Sequence, residues 1–390
     1  MPASASSPIA VLSENTGLHG GLDGVGPDAD LLAALAAVPD PRKARGCRHR
    51  LVTVLAIGVC AVLAGARSYV AIAEWAHELP VSARLRLGIG RRAPNESTVR
   101  RILQKIDLDA LDAAVSGWLI ARRPDPPPGQ MRVVAVDGKT ARGARTEDGT
   151  QVHLLAAFDP ASGVVLGQTQ VSGEGGKSSE IPAFAPLLDR IDLTDVLLTA
   201  DALHTQRRHA DYLHHRGGHY LLIAKANQPT LHAQLAGLPW RQIPVAIEER
   251  DRGHGRVETR RVKITAVGAG IGFPHARLAI QIVRRRRLIG SQTWSSETVY
   301  AVTSLSWRQA RPRLVASAIR GHWRIESLHW IRDVTFGEDL SQVRTGNGPA
   351  VMATLRNLAV SRHRLAGAGN IARACRRTAR HPNRALALLT

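Results

Sequence analysis

RVVAVDG at residues 132–138 and DVLLTA at residues 195–200, the second followed at once by Asp201, decide how this chain folds. Both are apolar, β-branched runs bounded by Gly or Asp, the pattern of a strand covered on both faces. HLLAAFD (153–159), VVLGQTQV (164–171) and HYLLIAK (219–225) share that texture. Helical patterns near Glu180 to Arg190 and about Gln206 to Arg216 fall between the strands. Such alternation predicts a mixed, partly parallel sheet flanked by helices, an α/β fold.

Working outward, the texture changes at both ends. LLAALAAV, LVTVLAIGVCAVLAGA, SYVAIAEWAHEL and STVRRILQKI predict an N-terminal all-helical domain over residues 31–121, with Ser97 and Thr98 as N-caps of the last helix. Its last two helices, joined by LRLGIGRRAPNE, have the outline of a helix-turn-helix unit that would offer Arg91, Arg92, Arg100, Arg101 and Lys105 to phosphates. An ordinary bundle with solvated arginines explains the same pattern equally well. RRPDPPPGQ, residues 122–130, holds four prolines and reads as a linker. An α/β domain follows over 131–365. Within it, VAIEER, RVETRRVKITAV, ARLAIQIVRR and ETVYAVTS make residues 228–310 a β-rich insertion with no helix of length. A long helix from Arg313 to Asp333 and a second from about Ala350 to Arg364 come next. Residues 366–390 read as a basic tail, and residues 1–30, rich in Ser, Gly, Pro and Ala, as a disordered leader.

Charge narrows the partners. Lys and Arg number 52 against 32 Asp and Glu, a formal net charge of +20, which favours a polyanion such as DNA. The longest apolar run, Leu51 to Ala66, is short for a membrane span and flanked by Arg50 and Arg67, so a buried helix is expected. Cys47, Cys60 and Cys375 fit neither a disulfide framework nor a zinc spacing. MPASASSPIA lacks the regions of a secretory signal, and a cytoplasmic location is expected.

Three acids stand out. Asp137 follows the strand RVVAV and Asp201 follows DVLLTA, so both are expected at strand C-terminal ends, where open α/β sheets place their ligands. Singly, an Asp-Gly turn at Asp137 and an N-cap at Asp201 are the commoner roles. In the long helix, Val315, Ile319, His322, Glu326, His329 and Asp333 share one stripe, with Arg313, Arg320 and Arg324 opposite. That stripe predicts Glu326 pointing inward, where an anion needs a cation, either a metal or an Arg. Sparse carboxylates at the ends of rigid elements suit Mg²⁺ or Mn²⁺, and two such ions about 4 Å apart are a known means of phosphodiester transfer. A competing reading has His322, Glu326 and His329 hold one Zn²⁺, at a spacing foreign to zinc motifs.

The residues resemble the insertion-sequence DDE transposases of the ISAs type, also called H-repeat-associated proteins. The likeness covers about Leu31 to Val360. It rests on DPRKARGCRHRLVTVLAIGVCAVLAGARSYVAIAEWA, AVDGKTARGA, GKSSEIPAF, TADALHTQ, AKANQPTL, HGRVETR and GHWRIESLHWIRDVTFGED. The resemblance implies a ribonuclease H-like catalytic core with a β-rich insertion, and Asp137, Asp201 and Glu326 as a DDE triad holding two Mg²⁺ or Mn²⁺ ions. It implies cleavage of a strand at an element's end and transfer of the freed 3′-OH to target DNA, with a homodimer synapsing double-stranded ends. Alternatives are an inactive transposase-derived DNA-binding protein and a structure-specific nuclease. Lys139, Lys225, Asn227, Gln228, His322, Arg324 and His329, with Arg100 and Arg101, are candidate DNA contacts. One departure is plain: where relatives carry a Tyr, Arg, Glu, Lys signature, this chain has Ile319, His322, Glu326 and Asp333.

Overall fold

The computed structural model describes residues 30–390 apart from 46, 146–148, 172, 175, 176, 179, 254 and 269. Except for Asp30, the expected leader lies outside the described residues. Asp30 caps α1 (Leu31–Ala36), its carboxylate accepting from the Leu32 amide at 3.1 Å. In α2 (Leu51–Leu63) every residue but Val52 is buried, as a helix apolar all round requires. No helix among the described residues is long and apolar enough to cross a membrane. There follow α3 (Tyr69–His77), α4 (Val81–Arg86), α5 (Glu96–Leu103) and α6 (Leu108–Arg122). The cap of α5 is Asn95, which accepts from the Thr98 amide at 3.1 Å, rather than Ser97 or Thr98. Asn caps as well as Ser or Thr, so the sequence left three choices within four residues.

The α/β part runs through β1 (Arg132–Arg145), β2 (Gln151–Asp159), β3 (Val164–Gln170), β4 (Gly173–Glu174), β5 (Lys177–Ser178), α7 (Phe184–Leu188), β6 (Val196–Ala200), α8 (Arg207–His215) and β7 (His219–Ala224). After these come α9 (Pro229–Ala236), β8 (Ile247–Gly253), β9 (Arg256–Ala266), β10 (Leu278–Leu288), β11 (Ser295–Thr303), α10 (Pro312–Val334), α11 (Gly348–Leu365), α12 (Ile371–Ala379) and α13 (Pro382–Leu386). Among the described residues nine strands form one mixed sheet in the order β3-β2-β1-β6-β7-β11-β10-β9-β8. β1, β6 and β7 run parallel, while β2 and β3 on one side and β11, β10, β9 and β8 on the other are antiparallel to their neighbours.

Three expectations change here. The β-rich block is not set apart, because β11 pairs with β7 and carries the block into the same sheet. It also contains a helix, α9, which starts with Pro229 at its first turn. The segment read as a basic tail folds into α12 and α13. Ile371, Cys375, Leu386 and Leu389 are buried there, and the Leu31 amide donates to the Leu389 carbonyl at 3.1 Å. Its arginines dominate the composition, but a sparse apolar stripe decides the packing.

One hydrophobic core joins α1, α2, α6 and α11 to one face of the sheet; a second lies between Leu197, Leu221, Ile280 and Ile282 of the other face and Val315 and Ile319 of α10. A buried ionic cluster fixes the far end of α10. Arg332, fully buried, donates to Glu338 from Nε at 2.9 Å and Nη2 at 2.7 Å, and Arg356 of α11 donates to the same carboxylate at 3.1 Å. Burial alone would raise the Glu338 carboxyl, but the two guanidiniums outweigh it and hold it down at about 2.

Candidate active site

β1 and β6 stay paired as far as Val136 and Ala200, and the next residue of each strand is an aspartate. Asp137 does not end its strand, contrary to the sequence reading. β1 continues to Arg145 against β2, with Asp137 opposite Ala156, which excludes an Asp-Gly turn. What ends at this point is the parallel partner. Asp201 leaves β6 and accepts from the Leu203 amide at 3.0 Å, so it caps the 3₁₀ turn Ala202–His204 while standing beside Asp137. α10 crosses the same edge, bringing His322 to Thr199 (Nδ1 to Oγ1, 3.4 Å) and His329 to Asp137 (Nδ1 to Oδ2, 3.6 Å). Glu326 lies between these two contacts along the helix.

Glu326 is exposed, not inward-facing. The buried line of α10 is Val315, Ile319, Ile325, Leu328 and Arg332, a little rotated from the stripe read in the sequence. A helix that overhangs a sheet edge leaves that part of its inner face open to solvent, which periodicity alone cannot reveal.

Electrostatics tie the acids together. The Asp137 carboxyl is pushed up to about 7, first by burial and then by the negative charges of Asp201, Glu180 and Glu326. Among the described residues no Lys or Arg pairs with Asp137, Asp201 or Glu326. His329 does not neutralise Asp137, because burial and the charges of Arg332 and Lys139 lower it to about 3. Burial likewise lowers His322. Among the described residues no three His, Cys, Asp or Glu side chains stand close enough to hold a metal between them, so the reading of His322, Glu326 and His329 as a zinc site gains nothing. The same holds for Asp137, Asp201 and Glu326, which influence one another electrostatically without standing close enough to grip an ion between them. Their chemistry fits hard divalent cations: oxygen donors, strand-end or helix mounting, and negative charge in excess.

The other candidates scatter. Lys139 is buried and bound to Asp333 at 2.8 Å and Asp339 at 3.4 Å. It lines an open cleft of about 380 Å³ beside the acids, together with Thr140, Arg142, Gln151, His329 and Asp333. Lys225 is exposed and close enough to act on His322, and Asn227 donates to the Ala202 carbonyl at 2.5 Å, so both stand by the Asp201 turn. Gln228 caps α9. Arg324 turns away and neighbours Arg364 of α11. Arg100 pairs with Glu96 at 3.1 Å and lines a separate cleft of about 440 Å³ with Arg67 and Arg344; Arg101 is exposed on the same helix.

Sequence reasoning missed Glu180. Its carboxylate accepts from His153 Nε2 at 2.8 Å and His204 Nε2 at 3.0 Å, and it lies over Gly138 so closely that a Cβ there would collide with it. The signal was available in GKSSEIPAF, but the residue precedes its helix in a loop with no periodicity.

A mixed sheet with acids at the end of its parallel strands, under an overhanging helix, defines an α/β protein with an electrostatically coupled set of carboxylates in a basic chain. The chain belongs to the DDE transposases: residues 128–361 match the family described as "Transposase DDE domain", and residues 32–119 the one described as "DDE_Tnp_1-associated". It is 30% identical over 349 residues to "Putative transposase YncI" of Escherichia coli O157:H7, covering 85% of this chain and 86% of that one. To "H repeat-associated putative transposase YhhI" of Escherichia coli strain K12 it is 25% identical over 348 residues, 85% of this chain and 89% of that. Among solved structures, a piggyBac transposase synaptic complex with hairpin DNA aligns over 92% of this chain and 77% of that chain, at 10% identity and a TM-score of 0.43.

Proposed function

We propose that this protein cuts a DNA strand at each end of an insertion sequence and joins the freed end to target DNA, with Asp137, Asp201 and Glu326 holding two Mg²⁺ or Mn²⁺ ions. The observation that carries the reading is that three acids, from β1, from just past the end of β6 and from α10, act on one another electrostatically where the parallel strands end, with no Lys or Arg among the described residues paired to them. The strand order β3-β2-β1-β6-β7 supports a ribonuclease H-like core, with β8 to β11 as the extension added before the glutamate helix.

When bound, the ions would neutralise charge on the attacking and leaving oxygens of an in-line displacement. Around them the chain supplies position. Asp137 and Asp201 are fixed by backbone, one inside a strand and one as the cap of a turn. His329, uncharged at neutral pH, lies against Asp137 without competing for its charge. Lys225, exposed beside the Asp201 turn, meets a phosphate. Further out, Arg285 and Arg287 stack on Trp294 at 5.2 and 5.3 Å, next to the exposed Arg250, Arg252 and Arg261 on the same sheet face, a basic track for duplex DNA. Residues 31–121, with Arg100 and Arg101 exposed on α5, form a second DNA-binding part, and two chains pair the element's two ends.

The test uses end-labelled DNA carrying a cognate terminus. Cleavage with Mg²⁺ or Mn²⁺, followed by joined product, is expected from the full chain and not from Asp137→Ala, Asp201→Ala or Glu326→Ala. Cutting without joining would make it a nuclease; binding without cutting under any divalent ion would make it an inactive descendant.

A further inference from the structure

Past Val136 and Ala200 no backbone ladder joins the strand that carries Asp137 to the turn that carries Asp201. The turn itself is fastened to β7, where the Thr205 hydroxyl donates to the Ile223 carbonyl at 2.6 Å. A different contact spans the opening. Glu180 reaches His153 with one carboxylate oxygen and His204 with the other, at 2.8 and 3.0 Å. His153 belongs to the Asp137 side, for it stands on β2 opposite Thr140 of β1, and the Thr140 hydroxyl lies 2.8 Å from its Nδ1. With Thr140 donating to Nδ1, the proton of His153 is on Nε2, the atom facing Glu180. His204 belongs to the Asp201 side. It closes the turn that Asp201 caps, is fully buried, and packs against Phe184 with ring centroids 5.1 Å apart.

We propose that Glu180 is a positioning carboxylate of the acid site, bridging the Asp137 strand to the Asp201 turn through His153 and His204 and so setting the gap that divalent ions must span. This rests on the metal-binding reading of Asp137 and Asp201. Glu180 is not offered as a ligand, because both of its oxygens already accept from imidazole N–H groups. The backbone has been shaped to admit it: a Cβ on residue 138 would fall on the Glu180 carboxylate and 2.6 Å from His153 Nε2, and the residue there is glycine. The bridge is also anionic at neutral pH. Burial works to raise the Glu180 carboxyl, but the hydrogen bonds from His153 and His204 overcome it and hold the group at about 2. Partners of this kind, behind a site rather than in it, set the affinity of many metal centres.

The full chain is titrated calorimetrically with Mn²⁺ alone, without DNA, and assayed in parallel for cleavage of a labelled element end. Glu180→Ala is expected to weaken Mn²⁺ binding roughly 10- to 100-fold, with cleavage falling in step. Glu180→Gln still reaches across, its oxygen accepting from His153 and its amide donating to His204 Nε2 once that ring carries its proton on the unpartnered Nδ1, and keeps most of the binding, a rescue that loss of fold would not give. His153→Phe preserves the ring and removes only one arm; it decides the matter if Glu180→Ala does not fold, and a loss is expected there too. Wild-type Mn²⁺ affinity in Glu180→Ala or, if that variant does not fold, in His153→Phe would overturn the proposal, as would equal damage from Ala and Gln. If Asp137→Ala binds Mn²⁺ as well as the unaltered chain, the metal site itself is wrongly placed and both readings fall.

Discussion

Replacing Glu338 by Gln tests whether α10 is held by the buried ionic cluster. Arg332, Glu338 and Arg356 are each no more than 2% exposed, and four contacts of 2.7 to 3.1 Å run from the two guanidiniums to one carboxylate. Gln keeps one acceptor, turns an amide N–H toward donors, and leaves two buried cations facing each other with only neutral partners, Gln168 and Asn357 for Arg332 and the Arg67 carbonyl for Arg356. Removing one partner of a buried pair costs about 3–5 kcal/mol. The carboxyl's own displacement points to the same size: from 4.5 to about 2, at about 1.4 kcal/mol per pKa unit, is about 3 kcal/mol. With an unfolding entropy of about 2.1 cal/mol/K per residue over a chain of this length, the melting temperature should fall by about 4 °C. The pH dependence has a definite sign. A carboxylate depressed in the folded state stabilises fully above pH 4.5, and that contribution is lost as pH falls through about 2. Urea unfolding of both proteins from pH 7 downward should therefore show a gap that is constant to about pH 4.5 and then closes. Equal stability at pH 7, or a gap that persists at pH 2, would refute the reasoning.

Three further outcomes are expected. Because Asp137 is raised to about 7 and a metal takes only the carboxylate, Mn²⁺ affinity should be level above pH 7 and fall by up to about tenfold per pH unit below it, as calorimetry from pH 6 to 8 would reveal. Gly138→Ala should drive a methyl into Glu180 and His153, destabilising the fold by about 1–3 kcal/mol and lowering cleavage; unaltered cleavage would mean that the strand edge is looser than described. Arg285→Ala with Arg287→Ala should make the log-log salt dependence of duplex binding shallower by about 2, and an unchanged slope would remove that sheet face from the DNA path.

Much of the fold was legible because its strands are short apolar runs between turn residues. β1 begins where RVVAV puts it, and the centres of β2, β3, β6 and β7 fall where HLLAAFD, VVLGQTQ, DVLLTA and HYLLIA put them. The lengths were not legible. RVVAV is followed by the polar DGKTARGAR, which keeps strand geometry because β2 pairs with it as far as Ala141 and again, past an irregularity, at Arg145, a tertiary effect invisible to local pattern. Of the site, Asp137 and Asp201 were legible from the strands that carry them. Glu326 was legible as a residue but not in its environment, since the stripe on α10 tells which side faces the protein and not where the protein ends. Glu180 and the Arg332–Glu338–Arg356 cluster were hidden for one shared reason. Their partners are distant in sequence, and an isolated Glu in a loop looks the same whether it meets water or two histidines.

The central claim is that Asp137, Asp201 and Glu326 share divalent ions. Anomalous scattering from crystals soaked in Mn²⁺ addresses it most directly. Density between Asp137 and Asp201, with Glu326 drawn in from solvent, is the predicted result. Strong Mn²⁺ peaks elsewhere, with those three carboxylates bare, would contradict it.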